Sequence, residues 1–423
     1  MKKLTDRPWY KLDNAAKIFT AVISRKHTTI FRISSSLKDP IDRERMQKAL
    51  NRLVLRCPYF KVRLRRGLFW YYFDDNNRMP VISKDPHTPC MYDDFTKDND
   101  FPFRVYINKN TIACEFTHYI TDGTGAIIFL NSLLAEYFKL AGITIPDFPD
   151  VLNCDDTSPE EESKYAFLEY YKRGLPPYKQ RKRAFLLPFR LVGKNRYSTI
   201  TGEIPLDTIQ NESRKHGVSI TAYITAVLFY SLQDIFVTSH GKKEQRYPIK
   251  VLVPVNLRNM FPSKTMRNFS LSTSVEIDPR LGAYTLEELI QKVSHSMKYV
   301  IDEKFILQQL AYNVVNETKP LVRIIPLFIK NLFLSGIYNR TDKCNTSIVS
   351  NLGRILAPPA IIGKIENFNF ILPPSPNVKI KCSFLSFNGL LYVTFAKSIE
   401  ETDIERMFFT SLIKNNIPVK ILK

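Results

Sequence analysis

The chain has 423 residues, 44% of them hydrophobic and 12% aromatic, which is enough apolar surface for large cores and for two domain-sized units. Its 61 Lys and Arg outnumber 41 Asp and Glu, for a formal charge of +20. The basic residues are spread along the chain without a nucleic-acid-binding motif, so a nucleic-acid partner is set aside, and an anionic substrate, cosubstrate or membrane surface fits the same sign.

In chain order, the β-branched Thr28–Leu37 predicts a strand. Asp39–Pro58 predicts a helix with Pro40 just inside its start and Met46, Leu50, Leu53 and Val54 on one face. Tyr59–Phe73 predicts two strands turning near Gly67, and Phe103–Phe116 a hairpin around Asn108–Asn110. Gly125–Gly142 predicts an amphipathic helix stopped by its last glycine. From about Asp147 to Arg196 the periodicity is lost. An acidic run, Cys154–Lys164, gives way to a basic patch, Tyr171–Arg196, and this stretch is read as a connection.

The second half repeats the mixture. Ser198–Leu206 predicts a strand, Leu206–Gly217 a helix, Ser219–Phe236 a buried helix, and Tyr247–Arg258 and Asn268–Ile277 further strands. Thr285 with Glu288 forms a capping box. Asn388-Gly389 marks a hairpin, and Glu400–Ile417 closes the chain as a helix. The expected division is 1–150, a connection over 151–196, and 197–423. Pro320–Tyr338, which is apolar but carries Arg323 and Lys330, is read as a core helix, with an interfacial helix as the alternative.

Six scattered cysteines form no C-x-x-C pair, so the expectation is reduced thiols in a cytoplasmic protein, with neither a disulfide framework nor a metal site. The N-terminus lacks the apolar core of a secretory signal. Neither G-x-S-x-G nor a phosphate-binding glycine loop is present, which disfavours serine hydrolases and nucleotide-dependent enzymes.

The segment that carries chemistry is Glu115–Leu130, where an apolar strand runs into a helix across His118, Asp122, Gly123 and Gly125. A histidine at a strand end can face a cleft and accept a proton near neutral pH, or it can be a packed residue. Asp122 can cap the helix or pair with a distant cation, and the glycines permit backbone that other residues resist.

The H-x-x-x-D-G pattern, Trp9–Phe19, Met46–Tyr72, Val253–Ser270 and Ser350–Gly353 together resemble the CoA-dependent acyltransferase superfamily, in particular bacterial alcohol acetyltransferases. The resemblance spans the chain. It implies an α/β (α+β) fold of two chloramphenicol acetyltransferase-like subdomains, each a mixed sheet flanked by helices, with an active-site channel between them.

It also implies that His118 is the general base for direct transfer of an acetyl or short acyl group from acyl-CoA to a hydroxyl or amine acceptor. No metal and no permanently bound cofactor are involved. Asp122 would be a structural brace paired with Arg258, and Asn268, Ser350 and Asn351 would shape the channel or support the oxyanion. The plain alternatives are a strand-end surface arginine for Arg258 and a turn for Ser350–Gly353.

Thr117 replaces the first histidine of the doubled motif of peptide-forming condensation domains, which argues against an assembly-line role. The rival readings are a degenerate module that binds an acyl carrier or partner, and an amide-forming condensation enzyme. Peripheral membrane contact and oligomeric state stay open. His27, His87, His216, His240 and His295 lack a matching context and are read as surface or helix residues.

Overall fold

A computed structural model describes residues 10–422 apart from 25–26, 87, 93–99, 179–181, 194–196, 240–242 and 320–323. His87, His240, Trp9, Arg323 and part of the basic patch lie outside the described residues. The first half runs β1 (Tyr10–Lys11), α1 (Asn14–Val22), β2 (Ile30–Leu37), α2 (Arg43–Arg56), β3 (Val62–Arg66), β4 (Tyr71–Asp75), β5 (Ser83–Lys84), β6 (Phe103–Asn108), β7 (Thr111–Thr117) and α3 (Gly123–Lys139).

After the single turn of α4 (Ala166–Glu169) come β8 (Ser198–Pro205), α5 (Leu206–Lys215), α6 (Ile220–Thr238), β9 (Ile249–Asn256) and β10 (Ser270–Ile277). Three helices follow, α7 (Leu286–Val300), α8 (Glu303–Thr318) and α9 (Leu327–Asp342). The chain then runs through β11 (Ser347–Arg354), α10 (Pro359–Ile362), β12 (Ile365–Ile371), β13 (Ile380–Phe387), β14 (Leu390–Lys397), α11 (Asp403–Lys414) and β15 (Lys420–Leu422).

Two mixed sheets carry the fold, one ordered β12-β2-β7-β6-β5 and the other β10-β9-β11-β13-β14-β8-β15; a small sheet β1-β4-β3 stands apart. In the first, only β5–β6 is parallel; in the second, β11 runs parallel to both its neighbours. The α/β architecture of mixed sheets flanked by helices is thus present.

The sheets do not follow the division of the sequence. β12, from the second half, pairs antiparallel with β2 from Ile371 opposite Arg32 to Ile365 opposite Leu37, and Phe368 and Phe370 enter the first core. β12 completes an edge that β2 would otherwise leave with unpaired backbone groups.

Local chemistry sets several boundaries. Asn388 and Gly389 take φ 45° and 79° at the β13–β14 hairpin. Thr285 and Glu288 exchange both capping-box hydrogen bonds. Pro40 is not inside α2: Asp42 caps that helix by accepting from Arg45 N at 3.0 Å, and Pro40 precedes the cap. Nineteen-residue α6 is apolar enough by length and composition to cross a bilayer, yet most of it is buried in the second core.

The acidic run becomes a clasp. Glu162 accepts from both Arg56 amino groups, at 2.7 and 2.8 Å, and from Tyr59 Oη, all buried. Its backbone carbonyl accepts from Met266 N, so the connection ties α2 to the loop after β9.

Helix α9 does not behave as a core helix. Leu327 and Lys330 are buried, but Phe328, Leu332, Phe333 and Ile337 are all more than half exposed. His27 also departs from expectation: it is buried, with its ring edge-on to Tyr338 at 5.3 Å. His216 ends α5 between Glu212 and Glu287, and His295 is exposed on α7.

Candidate active site

β7 ends at Thr117, and the chain turns through His118–Thr121 into α3. The His118 backbone N–H donates to Thr29 O at 2.8 Å, so the strand ladder fixes the main chain. The imidazole lies between two rings, stacked on Phe19 at 4.8 Å and tilted against Phe31 at 4.6 Å.

Nδ1 is buried without a hydrogen-bond partner. Burial pushes the imidazole down to about 4, opposed by the charge of Asp122 and by the side chain of Asn268, with Lys381 adding a smaller downward push. An imidazolium here would be a buried charge whose Nδ1–H has no acceptor, so the neutral ring is the resting form.

Asp122 is turned into the protein. One carboxylate oxygen caps α3, accepting from Gly125 N at 3.2 Å. The other accepts from Arg258 Nη1 and from Phe269 N, both at 2.8 Å. Arg258 extends the network by donating through Nη2 to the carbonyls of Thr265 and Arg267 at 2.8 and 2.7 Å. The pair is largely buried, with side chains 11% and 5% exposed, and draws the start of α3 against the loop between β9 and β10. Asn256 Nδ2 donating to Thr124 Oγ1 at 3.1 Å adds a second link at the same seam.

The two glycines have different tasks. A Cβ at Gly123 would meet the end of the Leu352 side chain at 2.4 Å, which can move, whereas a Cβ at Gly125 would sit 2.4 Å from the Met266 backbone oxygen and 2.2 Å from Thr121 Oγ1. Gly125→Ala is therefore expected to lower stability by about 1–3 kcal/mol and Gly123→Ala by less, as read from urea unfolding midpoints.

Asn268 is buried and donates to Asp13 Oδ2 at 3.2 Å. Asp13 caps α1 through Ala16 N at 2.8 Å, and α1 supplies Phe19 to the histidine ring. Asn268 therefore reaches His118 both directly and through α1. Ser350 is buried on β11. Asn351, on β11, donates to Thr221 Oγ1 of α6 at 3.0 Å and accepts from Gly353 N at 2.6 Å.

The structure thus gathers His118, Asp122, Arg258 and Asn268 at one seam, with β11 alongside through Leu352. Phe19, Phe31, Asp13 and Lys381 belong to the same neighbourhood and were not expected from the sequence. Lys381 is a buried ammonium on β13, and burial holds it down to about 8. Its one visible signal was a pair of lysines two residues apart in an otherwise apolar strand.

Residues 203–370 match the family model of the alcohol acetyltransferases. No protein of curated function matches the sequence. Among solved structures, trichothecene 15-O-acetyltransferase from Fusarium sporotrichioides shares the fold at a TM-score of 0.60 and 12% identity, over 96% of this chain and 94% of that one. The wax ester synthase/diacylglycerol acyltransferase from Marinobacter aquaeolei VT8 does so at a TM-score of 0.56 and 11% identity, over 96% and 99%.

A variant starter condensation domain of rhizomide synthetase, solved in complex with C8-CoA, gives a TM-score of 0.56 at 12% identity, over 95% and 93%. At these identities the likeness speaks for the fold. The chain therefore has the two-lobed fold of the CoA-dependent acyltransferases and condensation domains, and its residues 203–370 match the alcohol acetyltransferase family.

Proposed function

We propose that the protein transfers an acetyl or short acyl group from acyl-CoA to a hydroxyl acceptor, with His118 as the general base. The observation that carries this reading is the division of labour at the seam. Asp122 is fully engaged with Arg258, Phe269 N and Gly125 N, which leaves His118 as a neutral imidazole not bonded to that carboxylate, with its Nδ1 unpartnered.

Nδ1 is buried, so Nε2 is the nitrogen left to meet substrate, and acting there as a base requires the neutral ring to carry its proton on Nδ1. The acceptor O–H proton passes to Nε2 as its oxygen attacks the thioester carbonyl. The tetrahedral oxyanion then collapses, and the departing CoA sulfur takes the proton back. No covalent enzyme intermediate is required, and Asp122 acts as a positioning residue. The six free thiols, five of them buried, suit a reducing cytoplasm.

The test is free-thiol release by the purified protein with a panel of acyl-CoAs and alcohols or amines. Turnover with an alcohol supports the reading. Tight acyl-CoA binding with no turnover across the panel replaces it with the binding-module reading, and turnover with amines alone replaces it with amide formation.

The pH profile is a sharper probe. A group held down near 4 stays neutral, hence competent, well below the usual histidine range, so the acid limb of kcat/KM should fall below pH 6 rather than near 6.5. The same burial stabilises the fold above pH 6.5, and that contribution is lost as pH falls toward 4. Lys381 is charged throughout this window, so Lys381→Met removes a like charge and should move the limb to higher pH. A limb at 6.5 that Lys381→Met leaves in place would count against the assignment.

A further inference from the structure

A cavity of about 810 Å³ opens at the start of β9, the opposite end of that strand from Asn256 and the seam. Lys182, Arg246, Lys250, Arg280, Arg340 and Lys343 line it. Lys250 is paired with Glu276 at 2.6 Å and Arg280 with Asp278 at 2.5 Å. Lys182, Arg246, Arg340 and Lys343 have no carboxylate partner among the described residues. Four uncompensated cations around one concavity favour a phosphate-bearing ligand.

The cavity does not stand alone. Arg340 and Lys343 come from the end of α9, and at 100° per residue they share an arc of about 140° with Phe328, Leu332 and Phe333. Those three side chains are 58%, 74% and 67% exposed. Leu68, 72% exposed, widens the patch at the helix start, where its carbonyl accepts from Leu327 N at 2.9 Å. One outward face is therefore apolar over its first two turns and cationic at its end.

We propose that this face docks on a bilayer rich in anionic phospholipid, with Phe328, Leu332 and Phe333 entering the interface and the cavity cations meeting headgroup phosphates. Both halves of the surface are needed to choose this occupant. A nucleic acid would leave the phenylalanines in water, and a second copy would bring another strongly basic chain against the same cations. An interfacial surface uses an apolar face and flanking cations together.

The opposite face of α9 explains what docking would serve. Tyr338 lies against Phe19 at 6.5 Å, and Phe19 stacks on His118 at 4.8 Å, so the docked helix is one ring removed from the imidazole and would present the site to an acceptor held in the lipid. That use rests on the acyl-transfer reading; the docking itself does not, and it is measured without turnover.

The experiment is cosedimentation of the full chain with phosphatidylcholine vesicles, with and without phosphatidylserine. Binding is expected only with phosphatidylserine and should be released by high salt. Arg340→Ala with Lys343→Ala should lower the partition coefficient roughly thirtyfold, at about fivefold per cation. Phe328→Ser with Leu332→Ser should abolish binding, while circular dichroism and thiol release with a soluble acceptor stay unchanged. Equal binding to neutral vesicles, absence of binding, or full binding by either double variant overturns the proposal. So does a concentration-dependent dimer that Phe328→Ser with Leu332→Ser dissociates, because the face would then belong to a second copy.

Discussion

His118→Ala should cut thiol release from acyl-CoA by about 10² to 10⁴-fold, in kcat rather than in KM, while the protein stays folded. The separation of effects follows from how the residue is held. Its backbone N–H bonds to Thr29 O and survives truncation, Nδ1 has no partner to lose, and Asn268, which reaches the ring, is still held by Asp13. What is lost is a ring packed on Phe19 and Phe31, an effect of about 1–2 kcal/mol on stability. A purified His118→Ala protein with full activity would end the general-base reading. Lost activity together with lost acyl-CoA binding would reassign the ring to packing the channel wall.

The legible parts of this fold are those in which short-range chemistry decides. Asn388-Gly389, the Thr285–Glu288 box and the glycine stop of α3 at Gly142, with φ 87°, depend on a few adjacent residues, so they could be read in order along the chain. Asp122 and Arg258 lie 136 residues apart, and no local pattern joins them. Their pairing was expected only from the resemblance to a known family.

The ring of residues around His118 is hidden for the same reason: Phe19 with Asp13, Phe31, and Lys381 meet there from three separate segments. β12 could not be placed because a strand's own sequence does not say which sheet's edge it will cover. For α9 the obstacle was composition. Leu327, Phe328, Leu332, Phe333, Leu334 and Ile337 surround the helix, so apolar periodicity could not select a buried side; packing against α1 and the β3–β4 hairpin selects it.

Asp122→Asn should cost about 3–5 kcal/mol of stability and most of the activity, although it replaces a single atom. Arg258 has several acceptors, but among the described residues its only charged partner is the Asp122 carboxylate. Asparagine can still accept at one oxygen, so it can cap α3 or meet Arg258 and Phe269 N, but its amide nitrogen would then face a donor, either the guanidinium and Phe269 N together or Gly125 N. The buried cation is then left uncompensated, and one backbone N–H loses its acceptor.

Arg258→Met reverses the defect by stranding the carboxylate. That loss should be smaller, because Phe269 N and Gly125 N still donate to Asp122. The double variant should be less destabilised than the sum of the two single ones, because neither charge then remains buried alone. Urea unfolding of the four proteins measures this coupling directly. Additive losses would mean that the pair is not a brace but two independent contacts, and the loop from Thr265 to Phe269 would have to be held against α3 by something else.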